Sequence, residues 1–129
     1  MSDAVAHETE RGGIRVRRAT ADDRDRWDDL VGSSPQGTVF HTRPVLRVLA
    51  DQSGTTLHPL VGVKGREPVG VLPLFVRSWP GIRAVFSPPP GLRIPYLGPA
   101  LCNVEGLKQR RREKRHRRFV DAALAWTDD

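Results

Sequence analysis

Prolines are crowded into one short segment of this 129-residue chain, and that segment limits what the chain can fold into. Five of the eleven prolines lie in the twelve residues PPPGLRIPYLGP, from Pro88 to Pro99. Each proline ring fixes φ, removes a backbone donor and restricts the preceding residue, so this segment cannot be a helix. The sequence therefore predicts an extended loop there, with separate folded elements on either side.

Before the proline-rich segment, strand-like and helix-like patterns follow one another. Ile14 to Arg18 alternates apolar and basic residues, which is typical of a half-buried strand. Thr20 stands three positions before Asp23, the pattern of a helix N-cap with an acid in the first turn. Thr42 is expected to cap a second helix, which closes at residues 53–54. The buried faces of these helices are expected to hold Trp27, Leu30 and Val31 in the first, and Val45, Val48 and Leu49 in the second.

The middle of the chain has the pattern of a β-hairpin. Leu57 to Val63 and Pro68 to Val76 are rich in apolar and β-branched residues and flank a turn at Lys64-Gly65. Pro59 and Pro73 have no N–H to donate to a strand ladder. Each of these two prolines is therefore expected at a sheet edge, at the start of a strand or at a bulge.

The end of the chain predicts one long helix, at about residues 104–127. Its apolar stripe has the spacing i, i+3, i+4, i+7 and consists of Phe119, Ala122, Ala123 and Trp126. Continued towards the start of the helix, the stripe reaches Arg115, Arg112 and Lys108. The last turns are therefore expected to dock on a core, while the first turns project into solvent or lay their side-chain stems along the surface.

These elements together predict an α+β domain. The order is strand, helix, helix, three strands (the third around residues 84–86), loop and helix. Residues 1–12 have few large apolar groups and are expected to form a disordered leader, which leaves residues 13–129 as one domain. Because the final helix is followed by no further strand, the sheet is expected to be an incomplete one.

Positive charge is concentrated in one run, KQRRREKRHRR, from Lys108 to Arg118. The chain as a whole has 21 basic and 15 acidic residues, but without this run it has 13 basic and 14 acidic ones. A protein that wraps nucleic acid over its whole surface spreads its basic residues more widely. The run itself is typical either of a solvated helix face or of a contact with an anionic partner.

Few residues have the spacing of a catalytic or metal-binding motif. The four histidines lie in unrelated contexts, with no His-x-x-x-His or Cys-x-x-Cys spacing, so no metal site is expected. The single cysteine, Cys102, excludes an intramolecular disulfide and is typical of a small buried apolar residue. No Gly-x-Ser-x-Gly elbow or Walker-type loop is present.

Localisation follows from two further patterns. No run of about 18 apolar residues occurs, so no membrane span is expected. The N-terminus, MSDAVAHETERGG, is polar and acidic, which differs from the basic and then apolar pattern of a signal peptide. The sequence therefore predicts a cytoplasmic protein.

Several segments resemble, in their order along the chain, the N-terminal half of FemAB-like proteins of the GNAT superfamily of acyltransferases. Ile14 to Val31 resembles the first strand and helix of GNAT proteins. The more specific segments are SPQGTVFH from Ser34, PVGVLPLF from Pro68, SPP from Ser87 and PYLGP from Pro95. The resemblance covers about residues 14–126 and lies in the order of these segments more than in any single one.

The resemblance implies a GNAT-like mixed, mainly antiparallel sheet flanked by helices, here as an incomplete N-terminal half. It implies an N-acyltransferase that moves an acetyl, other acyl or aminoacyl group from acetyl-coenzyme A or another donor to a small-molecule or peptide amine. The Arg/Gln-x-x-Gly-x-Gly/Ala loop of GNAT donor sites is missing, so the isolated chain is expected to be weakly active or inactive. The groove-lining candidates, chosen because loops beside a sheet carry sites, are Phe40, His41, Pro89, Tyr96 and Gly98.

An alternative of a different class is a small non-catalytic module that binds nucleic acid through the basic helix at residues 108–118. The candidate contacts to an anionic partner are Arg110, Arg111, Arg112 and Arg115. No aromatic residue lies between them to stack on a base, so this alternative rests on charge alone. An exposed sheet edge could also pair with a second chain.

Overall fold

The structure is a computed structural model, and it describes residues 7–87, 97–104 and 106–128. In these residues the chain forms six strands and three α-helices. The strands are β1 (Glu8–Arg11), β2 (Ile14–Arg18), β3 (Thr56–Lys64), β4 (Glu67–Trp79), β5 (Ile82–Phe86) and β6 (Ala100–Leu101). The helices are α1 (Ala21–Ser33), α2 (Arg43–Ser53) and α3 (Gln109–Asp128), and a short 3-10 helix spans Val39–His41.

The six strands form one antiparallel sheet in the order β1-β2-β3-β4-β5. β4 is long enough to have two partners on one side. β5 pairs with its second half, and β6 pairs with Gly70 and Val71 in its first half. The expected α+β class with a mainly antiparallel sheet is therefore confirmed.

Helices cover both faces of this sheet. α1 and α2 pack on one face, where Trp27 and Leu46 meet Val61, Val71 and Phe75. α3 packs on the other face, and its docked side chains are those of the predicted stripe: Phe119, Ala122, Ala123 and Trp126. The alternation of side chains along β3 and β4 sends apolar groups to both faces, which explains why these strands are apolar almost throughout.

The predicted start of α1 is confirmed. The Thr20 hydroxyl accepts from the Asp23 amide and the Asp23 carboxylate accepts from the Thr20 amide, so the two residues form a capping box. Arg17 at the end of β2 also donates to Asp23. Burial raises the pKa of Asp23, but the hydrogen bonds from Arg17 and Thr20 outweigh it and hold that pKa below its usual value. α1 is thereby tied to the strand that precedes it.

The buried face of α2 differs from the prediction. Val48 is 55% exposed, while the buried residues of this helix are Leu46, Leu49, Ala50 and Ser53. Thr42 does occupy the N-cap position, but its hydroxyl donates backward to the Val39 carbonyl and caps no amide of the helix. Of the predicted residues, Leu49 is buried and the half-buried Val45 packs against the same core, so the prediction is wrong at Val48 alone.

The prediction for Pro59 and Pro73 was wrong, because both lie inside central strands and face each other across β3 and β4. Both backbones turn their polar groups away from the shared ladder. The Pro59 carbonyl accepts from the Ala19 amide just beyond the end of β2, and the Pro73 carbonyl accepts from the Ser87 hydroxyl just beyond the end of β5. The N–H that each proline lacks would point towards a neighbouring strand that has already ended. The sheet therefore loses no strand-to-strand hydrogen bond at either proline.

The two ends of the domain also differ from the prediction. Glu8–Arg11 forms an edge strand paired with β2, so the expected disordered leader is wrong over these residues, whereas residues 1–6 lie outside the described ones. The final helix begins at Gln109, five residues later than expected. Asn103 and Gly106 have left-handed backbones with φ of 54° and 80°, which are incompatible with a right-handed helix.

Candidate functional site

Three of the five predicted groove residues come together beside β6. Phe40 and His41 lie in the 3-10 turn, and the His41 ring reaches the carbonyl of Gly98 at 2.9 Å. Phe40 is half-buried and packs against the core shared by α1, α2 and the sheet. Pro89 and Tyr96 lie outside the described residues. The three described residues thus share one junction, in which Phe40 packs on the core, His41 bonds to Gly98, and Gly98 also lines an apolar cavity.

His41 is completely buried, and both of its ring nitrogens are engaged. Nδ1 accepts from the Thr38 amide at 3.1 Å, so the ring proton is on Nε2 and is donated to the Gly98 carbonyl. Burial lowers the pKa of His41, and the hydrogen bond to Gly98 only partly opposes this. A neutral ring with both nitrogens committed joins two parts of the backbone and is not placed to accept a proton from a substrate.

The rest of the SPQGTVFH segment has equally structural contacts. The Gln36 side-chain oxygen accepts from the buried amide of Leu101 at 3.1 Å, on the outer side of β6. A Cβ at Gly37 would lie 2.2 Å from the Val31 carbonyl oxygen, so only glycine fits against the end of α1. The Trp27 indole donates to the His41 carbonyl at 2.6 Å. The segment, defined here as the connector (residues 34–41), therefore holds α1, α2 and β6 together.

Open space near this junction is apolar. A cavity of about 430 Å³ lies between the second half of α3 and the strands β4 and β5, and Gly98 is one of its lining residues.

Cys102 is buried on the opposite sheet face, where burial raises the pKa of its thiol to about 12. The thiol is therefore protonated and unreactive at neutral pH, as expected for a small buried apolar residue.

The four predicted arginines of α3 point to different surroundings. Arg110 is exposed and lines none of the clefts described here. Arg112 donates to the Leu107 carbonyl at 3.1 Å and lines a cleft of about 480 Å³ that also contains Glu113 and Asp121. Arg111 and Arg115 instead line a separate pocket on the other side of the helix. The run of positive charge in the sequence is thus divided among three environments.

The pocket that contains Arg111 and Arg115 is strongly charged. It has a volume of about 260 Å³ and lies where α3 passes the β1–β2 and β3–β4 turns. Its charged lining residues are Lys64, Arg111, Lys114, Arg115 and Arg118, and we name it the cationic pocket. None of its lining residues is acidic. The Nη1 atom of Arg115 is shielded from solvent and has no hydrogen-bond partner among residues 7–87, 97–104 and 106–128.

Three of the charged residues of this pocket were not among the sequence candidates. Lys114 and Arg118 could have been chosen from the spacing of 111, 114, 115 and 118, which places them on one face of a helix. Lys64 carried no such signal, because it joins the pocket only through the turn between β3 and β4. Its position depends on the fold and cannot be predicted from its neighbours in the chain.

Comparisons with protein-family models, with curated proteins and with solved structures found no match. The resemblance to GNAT-superfamily acyltransferases therefore stays a prediction. In the described part of the chain no group of three or more His, Cys, Asp or Glu side chains is placed to hold a metal ion. Nor is any helix there long and apolar enough to cross a membrane.

Two backbone amides close to the turn before α3 already donate within the chain. In a pyrophosphate site made of backbone amides, several consecutive N–H groups point at one anion. Here the Leu107 amide donates to Val104 and the Cys102 amide donates to Val69, so two of the amides near that turn are already engaged.

Proposed function

We propose that this chain is part of an N-acyltransferase of the GNAT-like, FemAB-like type, which transfers an acyl or aminoacyl group to an amine. The observation that carries the proposal is the distribution of helices over the sheet. α1 and α2 follow β2 and pack on one face, and α3 follows the antiparallel strands and packs on the other. This arrangement agrees with the resemblance, which covers about residues 14–126.

Acyl transfer requires a held donor carbonyl, a deprotonated amine and hydrogen-bond donors for the developing oxyanion. The positive charge of α3 suits a donor that carries phosphates, such as acetyl-coenzyme A. His41 is not the base in this proposal, because its ring nitrogens bind Thr38 and Gly98. The role of the described residues is to form the sheet and to attract the donor.

The proposal is tested by the release of free thiol from acetyl-coenzyme A in the presence of a panel of small and peptide amines. The 129-residue chain is compared with the same chain extended by the coding sequence that follows it in its gene. We expect transfer well above the uncatalysed rate in the extended form and little in the short one. Absence of transfer to every amine in both forms, with acetyl and with aminoacyl donors, contradicts the proposal.

A second candidate, binding of nucleic acid through α3, is favoured by one observation. The described ion pairs join Arg15 to Glu8, Arg17 to Asp23 and Arg43 to Asp25, and none of them involves a basic residue of α3. The exposed basic side chains of this helix are Arg110, Arg111, Lys114 and Arg117. Basic side chains without an acidic partner can neutralise phosphates, and the counterions condensed on the nucleic acid are then released.

This candidate predicts steeply salt-dependent binding of labelled DNA or RNA, measured by fluorescence anisotropy. For duplex DNA, the logarithm of affinity is expected to fall by about 0.9 per logarithmic unit of salt for each phosphate neutralised. Changing Arg110, Arg111, Arg112 and Arg115 together to Glu is expected to abolish binding. An affinity that is unaffected by this change, or by salt, rules the candidate out.

A further inference from the structure

The cationic pocket is formed by the fold and not by the run of basic residues alone. Lys64 enters from the end of β3, and Arg118 lies across the β1–β2 turn, where its Nη1 donates to the Gly12 carbonyl at 3.2 Å. A Cβ at Gly12 would lie 2.4 Å from the Arg118 Cδ, so the absence of a side chain there makes room for the arginine. The Arg118 side chain is thus held in place between the turn and the helix.

Two acidic residues of the β1–β2 hairpin, which borders the pocket, are engaged in other contacts. The Glu10 carboxylate accepts from the Gly13 amide at 2.6 Å, and Glu8 pairs with Arg15 at 3.6 Å. Five cationic side chains therefore line one small pocket without a carboxylate among its lining residues. Like charges at such short range repel one another, and a bound anion removes that repulsion.

Arg115 supplies the second observation. Its guanidinium lines the pocket, while its Nη1 is shielded from water and has no acceptor in the described residues. A buried N–H without an acceptor is unfavourable, and a charged one especially so. Guanidinium groups match the oxygens of phosphate well, and an anion bound beside Arg115 would offset the cost of burying its charge.

We propose that the cationic pocket binds the terminal phosphate or the pyrophosphate group of a small molecule, with Arg115 as one of its contacts. The small volume of about 260 Å³ favours a compact group with two or more charges over the spread single charges of a nucleic-acid backbone. This inference is independent of the acyl-transfer proposal, since the pocket binds phosphate whatever reaction the chain takes part in.

The test is calorimetric titration of the 129-residue chain with inorganic pyrophosphate and orthophosphate at constant ionic strength. We compare Arg115→Gln with Arg110→Gln, which makes the same change of charge at an exposed position of the same helix outside the pocket. Loss of the bonds from a charged donor is expected to weaken pyrophosphate binding about tenfold or more in Arg115→Gln. Arg110→Gln is expected to retain the affinity within about twofold, because long-range charge effects are screened.

Two results overturn the proposal. One is the absence of saturable pyrophosphate binding at constant ionic strength. The other is that Arg110→Gln and Arg115→Gln weaken pyrophosphate binding equally, while an oligonucleotide without terminal phosphates binds more tightly than pyrophosphate. That result would indicate an extended surface for a polyanion. Circular dichroism checks that each variant is folded. If Arg115→Gln does not fold, Lys64→Gln replaces it, because Lys64 is exposed at the end of β3 and also lines the pocket.

Discussion

At the scale of single residues, the ring of Phe119 shows how closely α3 lies on the sheet. Gly62 of β3 and Gly70 of β4 are paired across the ladder, and the ring covers both of them. A Cβ would lie 2.8 Å from the ring at Gly62 and 2.6 Å from it at Gly70. Because Phe119 is completely buried, the ring cannot move aside into solvent. Glycine at these two positions is therefore required by packing, not by backbone conformation.

We predict that Gly70→Ala lowers the free energy of unfolding by about 1–3 kcal/mol, the usual cost of overpacking a tight core. The measurement is the midpoint of urea denaturation. Gly32→Ala is the matched control, since a Cβ at Gly32 meets nothing within 4 Å and the residue lies in α1. There, alanine is expected to leave stability unchanged or to raise it. Equal midpoints for Gly70→Ala and the wild type would show that the ring contact does not limit the packing.

At the scale of elements, the connector at residues 34–41 takes the place of a further strand beside β6. β6 has only two residues, and its Leu101 amide is covered by the Gln36 side chain. The His41 ring donates to the carbonyl of Gly98, which precedes β6. Side chains thus complete hydrogen bonds that another strand would otherwise supply, and they attach β6 to α1 and α2.

We predict that Gln36→Ala lowers the free energy of unfolding by about 1–3 kcal/mol, because it leaves the buried Leu101 amide without an acceptor. Hydrogen exchange at the Leu101 amide is expected to become faster than in the wild type, whereas Val71, which pairs with Ala100, is expected to be affected less. The control is Gln52→Ala, on the exposed face of α2, which is expected to change neither quantity. If Leu101 exchanges at the wild-type rate in Gln36→Ala, the connector does not hold β6.

Elements with a strong local signal were predictable from the sequence. The capping box at Thr20 and Asp23 and the apolar stripe that ends at Trp126 depend on residues within a few positions of one another. The pairing of Pro59 with Pro73 could not be predicted in this way. It is allowed only because β2 and β5 end beside these prolines, and this is a property of the whole sheet.

At the scale of the whole molecule, the same limit applies to the candidate site. The run of positive charge was visible in the sequence, but its division into a cationic pocket, a mixed cleft and free surface was not. That division depends on the docking of α3 through Phe119 and on the turn that brings Lys64 to the helix. The presence of the basic residues could be predicted from neighbouring positions in the sequence. Their meeting in one pocket depends on the complete sheet.

The stability of the whole molecule is expected to depend on two histidines, the buried His41 and the half-buried His58. Burial lowers the pKa of His41 and of His58, and at His58 the positive charges of Arg18 and Arg83 lower it further. His58 has a shielded Nδ1 without a partner in the described residues, so nothing there offsets the cost of charging the ring. Both rings are therefore held neutral in the folded state.

A histidine whose pKa is lower in the folded than in the unfolded chain binds protons preferentially in the unfolded chain. The contribution of these two residues to stability is therefore complete at pH values above 6.5, the ordinary pKa of histidine. It is lost as the pH falls from 6.5 through the lower pKa of the folded state. We predict that the free energy of unfolding, measured by urea denaturation from about pH 8 to about pH 5, decreases over this range. The His41→Gln variant is expected to have a lower free energy of unfolding than the wild type at about pH 8. In both His41→Gln and His58→Gln this free energy is expected to fall less steeply with decreasing pH. Parallel pH profiles for the wild type and both variants would show that other groups cause the dependence.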